Sequence, residues 1–333
     1  MQDPGEMAER LLARDRSALS RLISWAENAD ARYPAVLSRI YSKVGKAWRM
    51  GITGPPGAGK STLTNVLIQE LRKRSERVGV LAIDPSSPFS GGALLGDRIR
   101  MDERTADNEV FIRSMASRDS HGGLARAASD ACDVMDAYGF HSIVMETVGV
   151  GQSEYDVVAA ADSVVVVLCP GAGDEIQAMK SGILEVADVL VVNKSDLPGA
   201  DLLIADLEDA ISMRAFRRNS DASEWKVPVV SCSAAKNQGL DDLVAAIDAH
   251  AVWSRENDLD ALRRKKRVAQ VRRVVSERLE EELWGRMGNT TRAEELLEQS
   301  VTPYDVAEEI LGSILAPPMQ SAQAAAEQPK RGD

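Results

Sequence analysis

The sequence has few cysteines and histidines, and it has no apolar run long enough to cross a membrane. Its 333 residues include three cysteines, Cys132, Cys169 and Cys232, which lie far apart and form no CxxC pair. This spacing argues against a disulfide framework or a zinc site and indicates reduced thiols. Only three histidines are present, which argues against a His-rich metal site. The apolar run Val164–Cys169 fits a buried strand and is far too short for a bilayer.

The chain also lacks an excess of basic residues. Its formal net charge of -11 argues against non-specific binding to nucleic acid, because phosphate neutralisation needs a basic face. The N-terminus has no apolar signal core, and the acidic residues Asp3, Glu6 and Glu9 argue against a transit peptide. We therefore expect a soluble cytoplasmic protein that has neither a membrane nor a nucleic acid as its partner.

The chain divides by composition into four regions. Residues 1–46 have leucines at helical spacing, and polar punctuation around Pro34 predicts two helices. Residues 47–252 alternate short apolar runs with longer helix-like stretches, which is typical of a doubly wound α/β fold with a mainly parallel sheet. Residues 253–316 are charged and are predicted to be helical. Residues 317–333 are rich in Ala, Gln and Pro and are predicted to be disordered.

Seven apolar runs within residues 47–252 are predicted to be strands. Several are rich in valine and isoleucine without polar alternation, as in strands that helices cover on both faces. The seven runs are Ala47–Thr53, Val78–Ile83, Val110–Ile112, Ser142–Met145, Ser163–Cys169, Val189–Val192 and Val227–Cys232.

The C-terminal helical region carries an apolar stripe and a basic run. A second amphipathic stretch covers residues 292–315. The run Arg263–Arg267 is interpreted as a solvated helix face rather than as a site for nucleic acid or an acidic partner. The stripe has near-helical spacing and consists of Leu262, Val268, Val271, Val275, Leu279 and Leu283.

The strongest local motif follows the first predicted strand. The motif is a glycine-rich loop of the type that turns several backbone N–H groups towards phosphate oxygens, and its glycines allow the phosphate to approach closely. Lys60 is predicted to bind the β and γ phosphates and Ser61 to bind Mg²⁺, while a helix from Thr62 points its positive end at the phosphates. The loop matches GxxxxGK[ST] in full and consists of Gly54, Pro55, Pro56, Gly57, Ala58, Gly59, Lys60 and Ser61.

Two later motifs indicate that the bound base is guanine. The sixth predicted strand ends in an NKxD motif, in which the Asp196 carboxylate can accept from N1–H and the N2 amine of guanine. Adenine lacks both donors and would leave the carboxylate unpaired. Asn193 is expected to brace the loop, and the stem of Lys194 to cover the base. A second motif, from which a backbone N–H is expected to meet guanine O6, consists of Ser233, Ala234 and Ala235.

Acidic residues at two strand ends are candidates for holding Mg²⁺. Asp84 closes the second predicted strand and Glu146 the fourth, and carboxylates at the carboxyl ends of parallel strands face the ligand crevice. Glu146 and Gly149 resemble the DxxG element of small G proteins with Glu in place of Asp, and Gly149 is a candidate sensor of the γ-phosphate. Asp97, in a glycine-rich stretch, is a further candidate ligand, and the alternative for it is a helix N-cap.

No hydrolytic base is indicated by a motif. Val150 follows Gly149 at the position where Ras-like proteins carry a water-positioning glutamine. The glutamines and glutamates nearby in the sequence are not placed by any motif. We therefore expect slow intrinsic hydrolysis that a partner accelerates.

Four segments together resemble one protein family closely. They are Gly54–Ser61, Ala82–Ser87, Leu95–Met101 and Glu146–Glu154, and the last of these, ETVGVGQSE, is particularly specific. On these segments the chain resembles the MeaB/ArgK family of P-loop GTPases, the methylmalonyl-CoA mutase-associated proteins. The resemblance extends over most of the chain, from residue 36 to residue 315.

The resemblance implies a G-protein chaperone of an adenosylcobalamin-dependent acyl-CoA mutase, usually methylmalonyl-CoA mutase. Such a protein gates cofactor loading and protects the mutase. The implied ligands are GTP or GDP and Mg²⁺, with no cobalamin bound by this chain itself, and the C-terminal helices are implied to form a homodimer. It also implies a third switch loop with Gln177 and Lys180 as its residues of interest. The implied Mg²⁺ residues are Ser61, Asp84, Asp97 and Glu146.

Two other functions would use the same phosphate loop. A metal-insertion GTPase for a nickel or cobalt enzyme generally carries Cys or His clusters, which this sequence lacks. A P-loop kinase usually uses ATP and needs an acceptor site, and the guanine motifs oppose it. Both are kept as alternatives to the mutase chaperone.

Overall fold

The computed structural model describes residues 2–85, 107–117, 123–147, 157, 159–171, 183–218, 224–299 and 301–315. The predicted disordered tail lies outside these residues. The strands are β1 Trp48–Thr53, β2 Val78–Pro85, β3 Val110–Ser117, β4 Ser142–Thr147, β5 Ser163–Leu168, β6 Val189–Val192 and β7 Val229–Ser231. The helices are α1 Pro4–Leu12, α2 Arg16–Glu27, α3 Tyr33–Ile40, α4 Lys60–Lys73, α5 Gly123–Tyr138, α6 Ala200–Arg218, α7 Leu240–Glu256, α8 Leu259–Glu280, α9 Asn289–Glu298 and α10 Pro303–Leu315.

The seven strands of the described residues form one parallel sheet in the order β3-β2-β4-β1-β5-β6-β7. β1 is central, because Gly51 pairs with Met145 of β4 on one side and with Val164 of β5 on the other. The predicted doubly wound α/β fold is therefore confirmed. β3 continues to Ser117, five residues beyond the prediction, since pairing with β2 stabilises residues that have little apolar character of their own.

Helices cover both faces of the sheet, which explains the unbroken valine runs. In β5, Val164 and Val166 face one buried cluster and Val165 and Val167 face the other. The first cluster includes residues of α1, α2, α3, α5 and α6, and the second includes residues of α4 and α7. A strand buried on both faces needs apolar residues at every position, because successive side chains point to opposite faces.

The N-terminal region forms three helices, so the prediction of two was wrong. α1 begins at an Asp3 cap, which accepts from the Glu6 N–H at 2.9 Å. α1 ends before Arg14, whose φ of 64° is left-handed. Asp15 then caps α2 by accepting from the Ser17 N–H at 2.7 Å. The cap and the left-handed residue separate two helices that the leucine spacing had joined into one.

The described residues fall into two compact units, which divide between Gln270 and Val271 within α8. In the second unit an ion pair of 2.8 Å between Arg292 and Glu309 joins α9 to α10. The three cysteines are buried and unbridged. None of the described helices combines the length and the apolar character that a membrane span requires.

Charged side chains bind the first half of α8 to the rest of the first unit. Arg263 Nη2 lies 2.7 Å from Asp162 Oδ2, and Arg267 Nη2 lies 2.6 Å from Asp133 Oδ1. Asp133 is fully buried and also accepts from Arg49 of β1 at 2.7 Å. We call Asp133, Arg49 and Arg267 the Asp133 cluster. The solvated-face interpretation was wrong for Arg263 and Arg267, because carboxylates remote in the sequence supply their counter-charges.

Replacing Asp133 with Asn is expected to destabilise the protein strongly. The change removes the nearest carboxylate of two guanidinium groups and leaves Arg49 with Asp136 Oδ2 at 3.3 Å as its remaining counter-charge. Breaking a buried pair in this way costs up to about 3–5 kcal/mol. Chemical denaturation followed by circular dichroism measures the free energy of unfolding. Asp258→Asn is the control, because the pair of Asp258 with Arg264 is exposed and 3.8 Å long, and such a pair contributes less than about 1 kcal/mol. Equal losses in the two variants would contradict the role of the cluster.

Candidate functional site

The phosphate-loop segment connects β1 to α4 at the centre of the sheet. Gly54 has a φ of 135°, and a Cβ there would lie 2.1 Å from the carbonyl oxygen of Val167 in β5. Only glycine fits this position, so the motif requirement has a direct steric cause. α4 begins at Lys60 and runs for 14 residues, so that its positive end adjoins the loop.

The Lys60 side chain is buried within the curve of this loop. Its ammonium donates to the carbonyl oxygens of Gly54 and Pro55 at 2.7 and 2.9 Å. A cation therefore lies among the backbone groups at the start of α4. Loops of this kind bind phosphate oxygens through such a combination of charge and N–H groups.

Ser61 and Glu146 meet beside the loop. Pairing of β4 with β1 places Glu146 opposite Ile52, and the Ser61 hydroxyl donates to Glu146 Oε1 at 2.5 Å. A hydroxyl and a carboxylate are oxygen ligands of the type that Mg²⁺ takes next to nucleotide phosphates. The donor set of these two residues therefore fits a magnesium ion.

The remaining predicted metal and switch residues are not placed by the structure. The backbone of Asp84 lies near the end of β2 and pairs with Ala116 of β3, but its side chain is outside the description. The metal and switch assignments therefore stay predictions for the residues outside the described part, which are Asp97, Gly149, Gln177 and Lys180.

Asn193 joins the phosphate loop to the turn after β7. Its side chain is buried; Nδ2 donates to the Ala58 carbonyl oxygen at 2.8 Å, and Oδ1 accepts from the Ala234 N–H at 3.1 Å. One amide thus fixes two turns that are remote in the sequence. The N–H of Ala234 is already bound, and the Ser233 N–H donates to the Gln238 carbonyl oxygen at 3.0 Å, which leaves the predicted contact with guanine O6 to Ala235.

The rest of the NKxD motif also contacts the phosphate loop and the turn after β7. Lys194 is left-handed, with φ of 57°, and its Nζ donates to the Gly57 carbonyl oxygen at 2.7 Å. The Asp196 carboxylate accepts from Ser233 Oγ at 2.6 Å and lies 3.0 Å from Lys236 Nζ. The Ser233 hydrogen bond, followed by that of Lys236, holds the pKa of Asp196 below its ordinary value. The carboxylate is therefore ionised and is available as an acceptor.

Lys236 is a candidate site residue that the sequence motifs did not indicate. The signal in the sequence was a lysine two positions after Ala234. A lysine in a polar turn carries little information by itself. Its pairing with Asp196 depends on the way in which the turn after β7 folds against β6.

The chain is similar to known proteins over most of its length. The family model "Methylmalonyl Co-A mutase-associated GTPase MeaB" matches residues 19–288. The chain is 47% identical over 272 residues to a Pyrococcus abyssi protein with the provisional name of GTPase, which covers 81% of this chain and 83% of that protein. It is 39% identical over 200 residues to the mouse mitochondrial methylmalonic aciduria type A homolog, across 59% of this chain and 47% of that protein.

A solved structure of an LAO/AO transport system kinase has the same fold. Its TM-score is 0.70 at 27% identity, and the match covers 93% of this chain and 97% of that chain. The family match contains every described strand and the whole of the candidate nucleotide site. The chain therefore belongs to the MeaB family of methylmalonyl-CoA mutase-associated GTPases.

Proposed function

We propose that this protein binds and hydrolyses GTP with Mg²⁺ and is the chaperone of an adenosylcobalamin-dependent acyl-CoA mutase, most directly methylmalonyl-CoA mutase. In this role it gates cofactor loading and protects the mutase. The binding of GTP is supported by the two hydrogen bonds of the Asn193 side chain to Ala58 and Ala234, which we call the Asn193 bridge. This bridge brings the phosphate loop and both guanine motifs together. The mutase part is supported by the family description and by the likeness to the methylmalonic aciduria type A homolog.

The phosphate half of the site acts by positioning and charge. Lys60 and the N–H groups at the start of α4 bind the phosphates, and phosphoryl transfer depends mainly on such electrostatic stabilisation. Ser61 and Glu146, with Asp84 and Asp97 as further candidates, would hold Mg²⁺. When bound, the ion neutralises the charge that develops on the phosphate oxygens.

The base half of the site selects guanine. Asp196 accepts from N1–H and the N2 amine, and adenine offers neither donor. Asn193 does not need to touch the base, since it fixes the turn that carries Ser233 against the phosphate loop. Hydrolysis by the chain alone is slow in this proposal, and the mutase accelerates it by ordering switch residues such as Gly149, Gln177 and Lys180.

Removing the Asn193 bridge is expected to weaken GTP binding. In Asn193→Ala the Ala234 N–H and the Ala58 carbonyl lose a buried partner, and such a loss costs about 1–3 kcal/mol. If this cost destabilises only the nucleotide-bound state, the affinity for GTP falls roughly five- to 150-fold. Titration with a fluorescent GTP analogue measures the dissociation constant. Asn65→Ala in α4 is the control, because Asn65 Oδ1 has no hydrogen-bond partner among the residues that the structure describes. An unchanged affinity in Asn193→Ala would refute the bridging role.

The mutase is expected to accelerate hydrolysis of GTP. Phosphate release is measured with the full-length protein alone and with the adenosylcobalamin-dependent mutase of the same organism. We expect at least about tenfold stimulation, which corresponds to about 1.4 kcal/mol of barrier. Lys60→Ala should abolish both rates. Turnover that ignores the mutase would remove the partner assignment and leave a metal-insertion GTPase for a nickel or cobalt enzyme as the next hypothesis.

We further propose that α8 takes part in a homodimer, as the family resemblance implies. Four aliphatic side chains on α8 are each at least 50% exposed. At about 100° per residue, the four share one face of the helix. The same stripe on α8 of a second copy of this chain would bury these side chains from water. The four are Val268, Val271, Val275 and Leu279.

A charge placed on this stripe is expected to produce a monomer. In Val275→Glu a carboxylate would have to be buried between two helices, which costs several kcal/mol. Analytical ultracentrifugation at micromolar concentration should find a dimer for the unmodified chain and a monomer for the variant. Ser276→Glu, exposed beside the stripe, should stay dimeric. A monomeric unmodified chain would contradict the dimer.

A further inference from the structure

The carboxylate proposed to bind guanine has a partner outside the known motifs. Asp196 Oδ1 accepts from Ser233 Oγ at 2.6 Å, and Asp196 Oδ2 lies 3.0 Å from Lys236 Nζ. Each carboxylate oxygen thus has a different partner. Rotation of the carboxylate would break one of these contacts or both, so its orientation is determined from two directions.

The backbone that carries Lys236 forms a closed turn. Ser233 and Gln238 exchange backbone hydrogen bonds of 3.0 and 3.1 Å, and the Lys236 N–H donates to the Ser233 carbonyl at 3.0 Å. Asn237 within the turn is left-handed, with φ of 54°. The backbone of Lys236 therefore cannot move away from Asp196 unless the turn opens.

Guanine needs a carboxylate that is ionised and correctly oriented. Its N1–H and N2 amine donate side by side, so both oxygens must face the base. A carboxylate has about four lone-pair sites. Ser233 occupies one lone-pair site on Oδ1, and Lys236 occupies one on Oδ2. One lone-pair site on each oxygen therefore remains for the base.

We propose that Lys236 is a positioning residue for base selection, whose ammonium holds Asp196 in the orientation that accepts both guanine donors. This inference rests on the guanine binding proposed above and goes beyond it, because Lys236 belongs to neither guanine motif. Lys236 acts through Asp196 and does not need to touch the nucleotide. Its side chain is 55% exposed, so water screens the pair and the effect on affinity is moderate.

Lys236→Met tests the inference through base preference. Affinities for GTP and ITP are measured with Mg²⁺ by competition against a fluorescent nucleotide; ITP lacks the N2 amine. We expect the GTP dissociation constant to rise about two- to fivefold, which is the range of an exposed ion pair. ITP should lose less, because it makes one contact with the carboxylate, so the preference for GTP falls. Lys236→Arg should restore it, and Lys265→Met, an exposed lysine on α8, should change nothing.

The pH profile gives a readout that a purely structural lysine would not change. GTP binding requires the ionised carboxylate and is lost as the pH falls through the pKa of Asp196. Lys236 contributes to lowering that pKa, so without it the loss should begin at a higher pH. Lys236 is the charged group that the described residues place against this carboxylate.

Three outcomes separate the possibilities. A GTP affinity, base preference and pH profile that all match the unmodified chain would overturn the inference. Tighter GTP binding by Lys236→Met would also overturn it, since Lys236 would then compete with the base. An unmodified chain that binds no guanine nucleotide would refute the proposed function itself, which the Lys236 variants alone cannot do.

Discussion

The parallel hydrogen bonding of β1 between β4 and β5 determines where the site residues lie. The ladder to β4 places Glu146 beside the start of α4, where it meets Ser61. The ladder to β5 brings the chain turn at Gly54 against the Val167 carbonyl, where a side chain would not fit. The phosphate loop therefore has its shape because of its neighbours as much as because of its own glycines.

Polar side chains at the two ends of the sheet have different tasks. At the carboxyl ends of the strands, amide and carboxylate groups join loops and leave acceptors for a ligand, as with Asn193 and Asp196. At the amino end of β1, the Asp133 cluster buries opposite charges together and binds α8 to the sheet. Such buried pairs add little net stability, because the desolvation of the charges offsets their attraction, although breaking one pair is costly.

Local patterns were sufficient for most of the fold. All seven strands were predicted from short apolar runs, which are continuous in β1, β4, β5 and β6 because every residue of these strands is buried. The start of α4 was marked by the phosphate motif itself. The failures occurred where a contact outweighed the local pattern. The leucine spacing of the N-terminal region continued through the Asp15 cap, and the charge of Arg263 and Arg267 suggested solvent until Asp162 and Asp133 were known to face them.

The strands, the phosphate loop and the guanine motifs could all be predicted from the amino-acid sequence, because each depends on residues that are adjacent or a few positions apart. Which of these segments contact one another follows from the folded arrangement of the chain. Asn193 and Ala58 are 135 residues apart, and Asp133 and Arg267 are 134 apart. Asp196 and Ser233 are 37 apart, and Lys236 lies three residues further on. Contacts at such separations depend on strand order and loop closure, which no local spacing encodes; for this reason the Asn193 bridge, the Asp133 cluster and the position of Lys236 became visible only in the folded chain.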